Sequence, residues 1–426
     1  MTTLPQVARA LREMLTTTAA EAGRATRFVQ RTAPLHGATC SQTWVFGLLG
    51  NPQATLAALT HTAAAWGIEI SPQALEQRLT ASAAAGLPQG LLPAIARVST
   101  AEPVALPLLA RFTAVYGQDR STMILPEVCA AQWPGGGGRT SSSASAALKL
   151  QARVARRPGR LDGQLQEGRA ADRAAALPGP RPAGALRLAD VGSWSLEACA
   201  ALAPHQVCWL ARLQRQTAVY DATGARQDLL TLWESPPTDT VARAVALGER
   251  QPLAARLVAV RVPQDVADTR RRRLRKAARA QGRQGRAPRR ARAAWPLCVP
   301  HGPAERLPWR AALGLGRMRW QMELRFTLWT SHGRVDESRS PQPWRILGEG
   351  YAKLLAMLVQ HGVFLVRLWA SPERSLANAA QTVQTHARHL ARACPSVQRL
   401  GQALLTVKRC LAAGWRMNRR KKPPNT

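Results

Sequence analysis

Three carboxylates and a large excess of arginine are the residues from which chemistry can be built. Asp119 falls on or just after a strand-like stretch, Phe112 to Asp119 (FTAVYGQD). Asp190 ends a second one, Gly184 to Asp190 (GALRLAD), and Glu323 sits in a helical stretch at about 312–331 that could dock against a sheet. The acids are 71 and 133 residues apart, so only folding can bring them together. Brought together, they have a ready use in a basic chain, because Mg2+ is held by a few carboxylates plus waters and phosphate oxygens. A pair of such ions activates the attacking oxygen and stabilises the leaving oxygen of an in-line displacement at a phosphodiester.

The charge balance supplies the other half of that chemistry. The 426 residues carry 59 Lys+Arg against 25 Asp+Glu, a formal charge of +34, with a pI near 11.7. Such a chain seeks polyanions, nucleic acid above all. Only six of the bases are Lys; an Arg-, Ala- and Leu-rich composition reads as the codon bias of a GC-rich genome, which inflates the arginine count. Arg270 to Arg292 holds twelve Lys/Arg and no acid, broken by Gly282, Gly285 and Pro288. One reading is a solvated linker. The other is a phosphate-backbone contact, since twelve like charges repel unless a polyanion neutralises them.

Several classes are disfavoured. No run of about 18 uncharged apolar residues is present; the nearest, Tyr351 to Ala370, is interrupted by Lys353, His361 and Arg367 and reads as a packed helix. The N-terminus has no secretory apolar core. Seven scattered Cys, never in a Cys-x-x-Cys pair, argue for reduced thiols in a cytosol and against a structural zinc site. The loop Gly135 to Gly138 lacks the Gly-Lys-Ser/Thr ending of a phosphate-binding loop, and no Gly-x-Ser-x-Gly elbow is present. His386 and His389, three apart on a helix, read as a solvated or packed pair rather than metal ligands.

The elements that must position the acids are partly readable. Residues 1–100 are helical and Ala/Leu-rich, with a helix–turn–helix candidate from Thr55 to Leu79: Gly67 can take the left-handed turn, Ser71 the N-cap and Pro72 the first helical position. Its second helix carries only Arg78 as a base, so a plain helical hairpin stands as the alternative. Leu148, Leu150, Ala152 and Val154 alternate on a strand, RRPGR supplies a turn, and LDGQLQEGR returns as the partner. After GALRLAD, Ser195 N-caps a short helix and Gln206 to Leu213 forms a strand, a βαβ unit with ligand chemistry just beyond its strand ends. Further β-like pieces follow, Thr217 to Gly224 and Ala255 to Val262, then the helix bearing Arg319 and Glu323 on one face.

Four ordered segments resemble the DDE transposases of bacterial insertion sequences, of the insertion-sequence-four type with the YREK signature. QDRSTMILPE (Gln118 to Glu127) resembles the first-Asp motif, and Trp133 to Gln151 the segment after it. LADVGSWSLE (Leu188 to Glu197) resembles the second-Asp motif, and RMRWQMELRFTLWTSHGR (Arg317 to Arg334) the Glu-bearing helix. The likeness extends from about residue 40 to about residue 390. It implies an α/β chain: an RNase-H-like catalytic core with a mainly β insertion, flanked by helical regions. The divisions are 1–100, helical and DNA-binding; 101–213, the first part of the core; 214–300, the insertion with the basic run; 301–345, the final core helix; and 346–426, helical with a basic tail.

The resemblance also implies that Asp119, Asp190 and Glu323 hold two Mg2+ ions, with Mn2+ able to substitute. The implied activity is cutting the DNA ends of an insertion sequence and joining them to target DNA, by a homodimer that holds two ends in the bacterial cytoplasm, at the nucleoid. Arg319 matches the signature Arg; Arg212, Arg270, Arg271, Arg272, Arg273, Arg275 and Lys276 complete the expected DNA contacts. The signature Tyr and Lys positions fall on Gly316 and Thr330, and Ser193 replaces an aromatic. These departures open a second reading, a decayed DNA-binding relic. A third, from another class, is a non-catalytic basic nucleic-acid-binding protein whose acids are incidental.

Overall fold

The structure, a computed structural model, describes residues 3–28, 34–87, 107–135, 146–157, 161–167, 182–189, 195–213, 217–229, 239–250, 252–280, 297–338, 340–367 and 375–413. The N-terminal elements are α1 (Leu4–Glu13), a π-helical turn (Met14–Thr18), α2 (Ala19–Ala25), α3 (Gly37–Gly50), α4 (Leu56–Ala64) and α5 (Pro72–Gln77). Next come α6 (Pro107–Ala110), β1 (Val115–Leu125), β2 (Ala146–Arg157), β3 (Leu161–Glu167), β4 (Leu186–Ala189), α7 (Leu196–Ala200) and β5 (Cys208–Ala211). Then follow β6 (Val219–Tyr220), β7 (Thr240–Leu247), β8 (Leu253–Val260), α8 (Gln264–Ala280), β9 (Leu297–His301) and α9 (Trp309–Ser331). The chain ends in α10 (Pro343–Arg367), α11 (Leu376–Thr385), α12 (Ala387–Ala393) and α13 (Val397–Ala413). The fold is mixed α/β.

Two units share the chain. One takes residues 1–104, 119–177 and 323–418; the other takes 105–118, 178–322 and 419–426. The first is organised on α3, whose sequence is apolar almost all round and is accordingly buried along most of its length, as expected of a core helix. Helix α10 packs along it. The hairpin of α4 and α5 forms as its local chemistry dictates. Thr55 Oγ1 accepts from the Ala58 N–H at 3.2 Å, Gly67 takes φ +72°, and Ser71 Oγ accepts from the Ala74 N–H at 3.1 Å. Its apolar residues Leu59, Ala63, Ile68, Leu75 and Leu79 turn inward onto Trp44 and Leu48. In the same unit β2 and β3 form an antiparallel hairpin with Leu150 opposite Leu165. Strand β1 does not end at Asp119 but runs on to Leu125, because Met123 and Leu125 bury against Trp133, Leu148 and Ile346.

In the second unit β1, β4 and β5 are parallel neighbours, and β9, β8, β7 and β6 extend the sheet antiparallel. The β4–α7–β5 crossover is the predicted βαβ unit; Ser195 Oγ accepts from the Ala198 N–H at 3.0 Å and starts α7. Leu109, Phe112, Val115, Leu186, Leu188 and Leu210 form the core on one face, closed by Ala312 and Leu315 of α9. By the alternation of a strand, the other face carries the register partners Tyr116, Arg187, Trp209 and His301. Trp209 and His301 stack at 5.3 Å between ring centroids, 4° from coplanar, and burial holds the His301 pKa below its ordinary value.

Helix α9 begins at Trp309 and runs through both Gly314 and Gly316. A Cβ built on Gly314 meets nothing within 4 Å. Gly314→Ala is therefore expected to stabilise the chain by about 0.5–1 kcal/mol, the helix-propensity difference with no clash to offset it. A urea titration comparing midpoints checks this.

Candidate metal centre and nucleic-acid interface

Asp119 lies within β1 and Glu323 within α9; the side chains of both, and that of Arg319, lie outside the described residues, as does Asp190 entirely. What the backbone gives is register. Val115 pairs with Leu186, Tyr116 with Arg187 and Gly117 with Leu188. On the other side of β4, Ala189 pairs with Ala211, the residue before Arg212. Among the described residues, no group of three or more His, Cys, Asp or Glu is arranged to hold a metal.

The basic run differs from the linker reading over its first half. Residues 264–280 form α8, and residues 281–292 lie outside the described residues. Asp265 lies in its first turn and Arg279 in its last, charges that complement the helix dipole. Ala267 and Ala278 are buried and Leu274 is half-buried, whereas Arg272, Arg273, Arg275, Lys276 and Arg279 are exposed. The i+3/i+4 spacing thus sorts the charges onto an outer face. Arg271 turns back to Asp268, Nη1 to Oδ1 at 2.8 Å, and Arg272 donates to Thr269 Oγ1 at 3.3 Å. Arg270 is half-buried; burial, and then the like charge of Arg212, lower its pKa. Arg212 itself is exposed.

The sequence pattern alone does not single out Arg279, which shares the outer face. The period Ala267, Leu274, Ala278 is the signal that could reveal it, but the run of charge hides the helix. Of the two departures from the YREK signature, Gly316 is half-buried, and Thr330 Oγ1 donates to the Thr327 carbonyl at 3.2 Å within its own helix. Neither a scan against protein-family models nor a search of curated proteins finds a match for this chain. No helix among the described residues is long and apolar enough to cross a membrane.

A second concentration of charge lies in the first unit, around a cavity of about 310 Å3 lined by residues that include Gln53, Thr55, Glu337, Ser338, Arg345, Glu349 and Lys353. Arg345 Nε donates to Glu349 Oε1 at 2.8 Å and its Nη1 to Glu76 Oε1 at 3.0 Å. Ser338 Oγ donates to Glu349 Oε2 at 3.2 Å. Lys353, almost wholly buried, donates to the carbonyls of Arg334 at 2.9 Å and Glu337 at 2.6 Å. Burial works against the Arg345 charge, and the carboxylates of Glu349 and Glu76 more than reverse it, so its pKa is raised. These acids and bases are engaged with one another, which makes the cluster a fastening of α5 and the turn at 334–338 to α10.

Proposed function

We propose that the chain is a DDE transposase with an RNase-H-like catalytic core, cutting the ends of an insertion sequence and joining them to target DNA. The observation that carries this reading is the pairing of β1 with β4. Gly117 stands opposite Leu188, and Asp119 and Asp190 each follow two residues further along the chain. The parallel pairing runs over Val115–Gly117 and Leu186–Leu188, so the two acid-bearing stretches follow neighbouring strands. Incidental acids have no reason to fall at equal offsets from a register pair 71 residues apart in sequence.

Two further features support it. Strands β1, β4 and β5 are parallel neighbours and β2 and β3 an antiparallel hairpin, the α/β mixture such a core calls for, and β6 to β8 fall within the stretch read as the mainly β insertion. Helix α9 buries Ala312 and Leu315 against Val115, Leu186 and Leu188. Positions 319 and 323 follow 315 at successive i+4 steps, so one helical stripe joins them.

Three carboxylates form the hard-oxygen donor set that suits Mg2+ or Mn2+. On this reading Asp119, Asp190 and Glu323 hold two ions, and bound Mg2+ supplies activation of the attacking oxygen and stabilisation of the leaving one. The chain's own work is positioning. Arg319, Arg212 and Arg270 to Arg273, with Arg275 and Lys276, hold phosphates without reading sequence. Burial first, and then the nearby charge of Arg212, lower the Arg270 pKa, so two like charges stand where an anion is favoured. Two ends held at once call for a homodimer, and a DNA-bound chain would lie with the nucleoid.

The test is incubation with duplexes carrying the repeats that flank the coding sequence, in Mg2+ or in chelator. Metal-dependent nicks at the repeat ends and joined products are expected; binding with no metal-dependent product in Mg2+ or Mn2+ rejects the catalytic assignment. The outer face of α8 gives a separate expectation. Replacing Arg272, Arg273, Arg275 and Lys276 by Gln should weaken binding to all duplexes alike. It should also flatten the plot of log affinity against log salt by about 0.9 for each phosphate that is no longer neutralised. Weakening at one sequence alone contradicts the assignment.

The relic reading draws on Thr330. Its hydroxyl serves its own helix turn, where the signature has a cation for a terminal phosphate. Thr330→Lys should restore one phosphate contact and steepen the salt dependence on end duplexes by about 0.9. An unchanged slope shows that position 330 faces no phosphate.

A further inference from the structure

Cys410 lies in the last turn of α13, and His386 at the junction of α11 and α12. Cys410 Sγ is 3.6 Å from His386 Nε2, and His386 Nδ1 is 2.8 Å from the Thr382 carbonyl. A carbonyl oxygen only accepts, so Nδ1 carries the ring proton and Nε2 turns its lone pair to the thiol. A nucleophile, a base within hydrogen-bond reach and a third group orienting that base are the three parts of an activated thiol. Both side chains are partly exposed. By contrast Cys40, Cys129, Cys199, Cys208 and Cys394 are buried, and burial pushes Cys40 and Cys394 up to about 12.

We propose that Cys410 is a modification site, a thiol that His386 activates for exchange with small aliphatic disulfides. The thiol proton passes to His386 Nε2 as Sγ attacks one sulfur of the disulfide. The new S–S bond forms as the old one breaks, and the departing thiolate takes the proton back from the imidazolium. The disulfide is the only oxidant consumed; one half remains on Cys410 and the other leaves as a thiol. This exchange is independent of the transposase reading.

The experiment treats the full-length reduced protein at pH 7 with oxidised glutathione and follows peptides by mass. One glutathione per chain is expected to appear first on the Cys410 peptide. His386→Gln should slow it by about tenfold or more, and Cys410→Ser should remove the fast label. A wild-type comparison keeps the test independent of how His386→Gln folds: Cys410 should react about tenfold faster in the folded chain than in urea, where the base is lost. First labelling at another cysteine, or equal Cys410 rates in the folded and unfolded chains, overturns the proposal. So does an unchanged rate in a folded His386→Gln chain.

Discussion

Asp190→Asn is expected to slow metal-dependent nicking of end-bearing DNA by about 10²–10³-fold while leaving duplex binding intact. The amide has nearly the shape of the carboxylate but not its charge, so on the proposed reading it removes one ligand of a divalent ion. Removing one electrostatic stabiliser of a transition state costs about 10²–10³ in rate, roughly 3–4 kcal/mol. Asp119→Asn should match it, because the scheme gives the two strand acids one shared task. Binding is the control: neutralising an acid in a basic chain cannot weaken attraction to phosphate, so affinity at fixed salt should hold or rise slightly. Asp172, in the stretch EGRAADRAA, reads from sequence as a surface acid rather than one near the active centre and lies outside the described residues, so Asp172→Asn should cut as the wild type does. Nicking by Asp190→Asn at the wild-type rate would sink the assignment of the acids; loss of cutting together with binding would instead report a folding defect.

The parts legible in the sequence were those set by neighbours along the chain. Gly67, Ser71 and Ser195 act within three or four residues of themselves, and their caps and turns form where their types place them. The alternation of Leu148 and Leu150 likewise sufficed for a hairpin strand. What escaped depended on partners far away. The end of β1 is misplaced by sequence because Asp119-Arg120 looks like a polar stop; Met123 and Leu125 carry the strand onward by burying against Trp133 and Ile346. Strand β7 escapes because Thr240 to Leu247 alternates only weakly, and its place is set by pairing along its length with β8. Helix α8 is hidden because charge dominates its composition, while its buried side rests on little more than Ala267, Leu274 and Ala278. For the candidate site, the strand-like stretches could nominate Asp119 and Asp190; the β1–β4 register pairs Gly117 with Leu188 and stops short of both acids. The imidazole of His386 faces Cys410 on another helix, a pairing that no spacing rule along one helix reveals.

Glu349→Leu is expected to be the most destabilising single change in the charge cluster of the first unit. Its carboxylate holds the Nε of Arg345 at 2.8 Å and the hydroxyl of Ser338 at 3.2 Å, and its side chain is 11% exposed, against 19% for Arg345 and 43% for Glu76. Breaking a buried pair from one side leaves a stranded charge and costs about 3–5 kcal/mol. Glu76 remains to share the Arg345 charge, which puts the loss near the lower end, about 3 kcal/mol. Glu76→Ala breaks the more exposed half of the same fork, where water replaces the missing carboxylate, and should cost at most about 1 kcal/mol. The decisive comparison is the double change Arg345→Met with Glu349→Leu. Removing both charges strands neither, and apolar side chains of similar size can pack beside Ile346, so its loss should be smaller than that of Glu349→Leu alone. Urea midpoints at unchanged slope measure these three variants and Arg345→Met alone. A double variant as unstable as the sum of its singles would show that Arg345 and Glu349 act independently, and the cluster would then contribute its stability through packing rather than through paired charge.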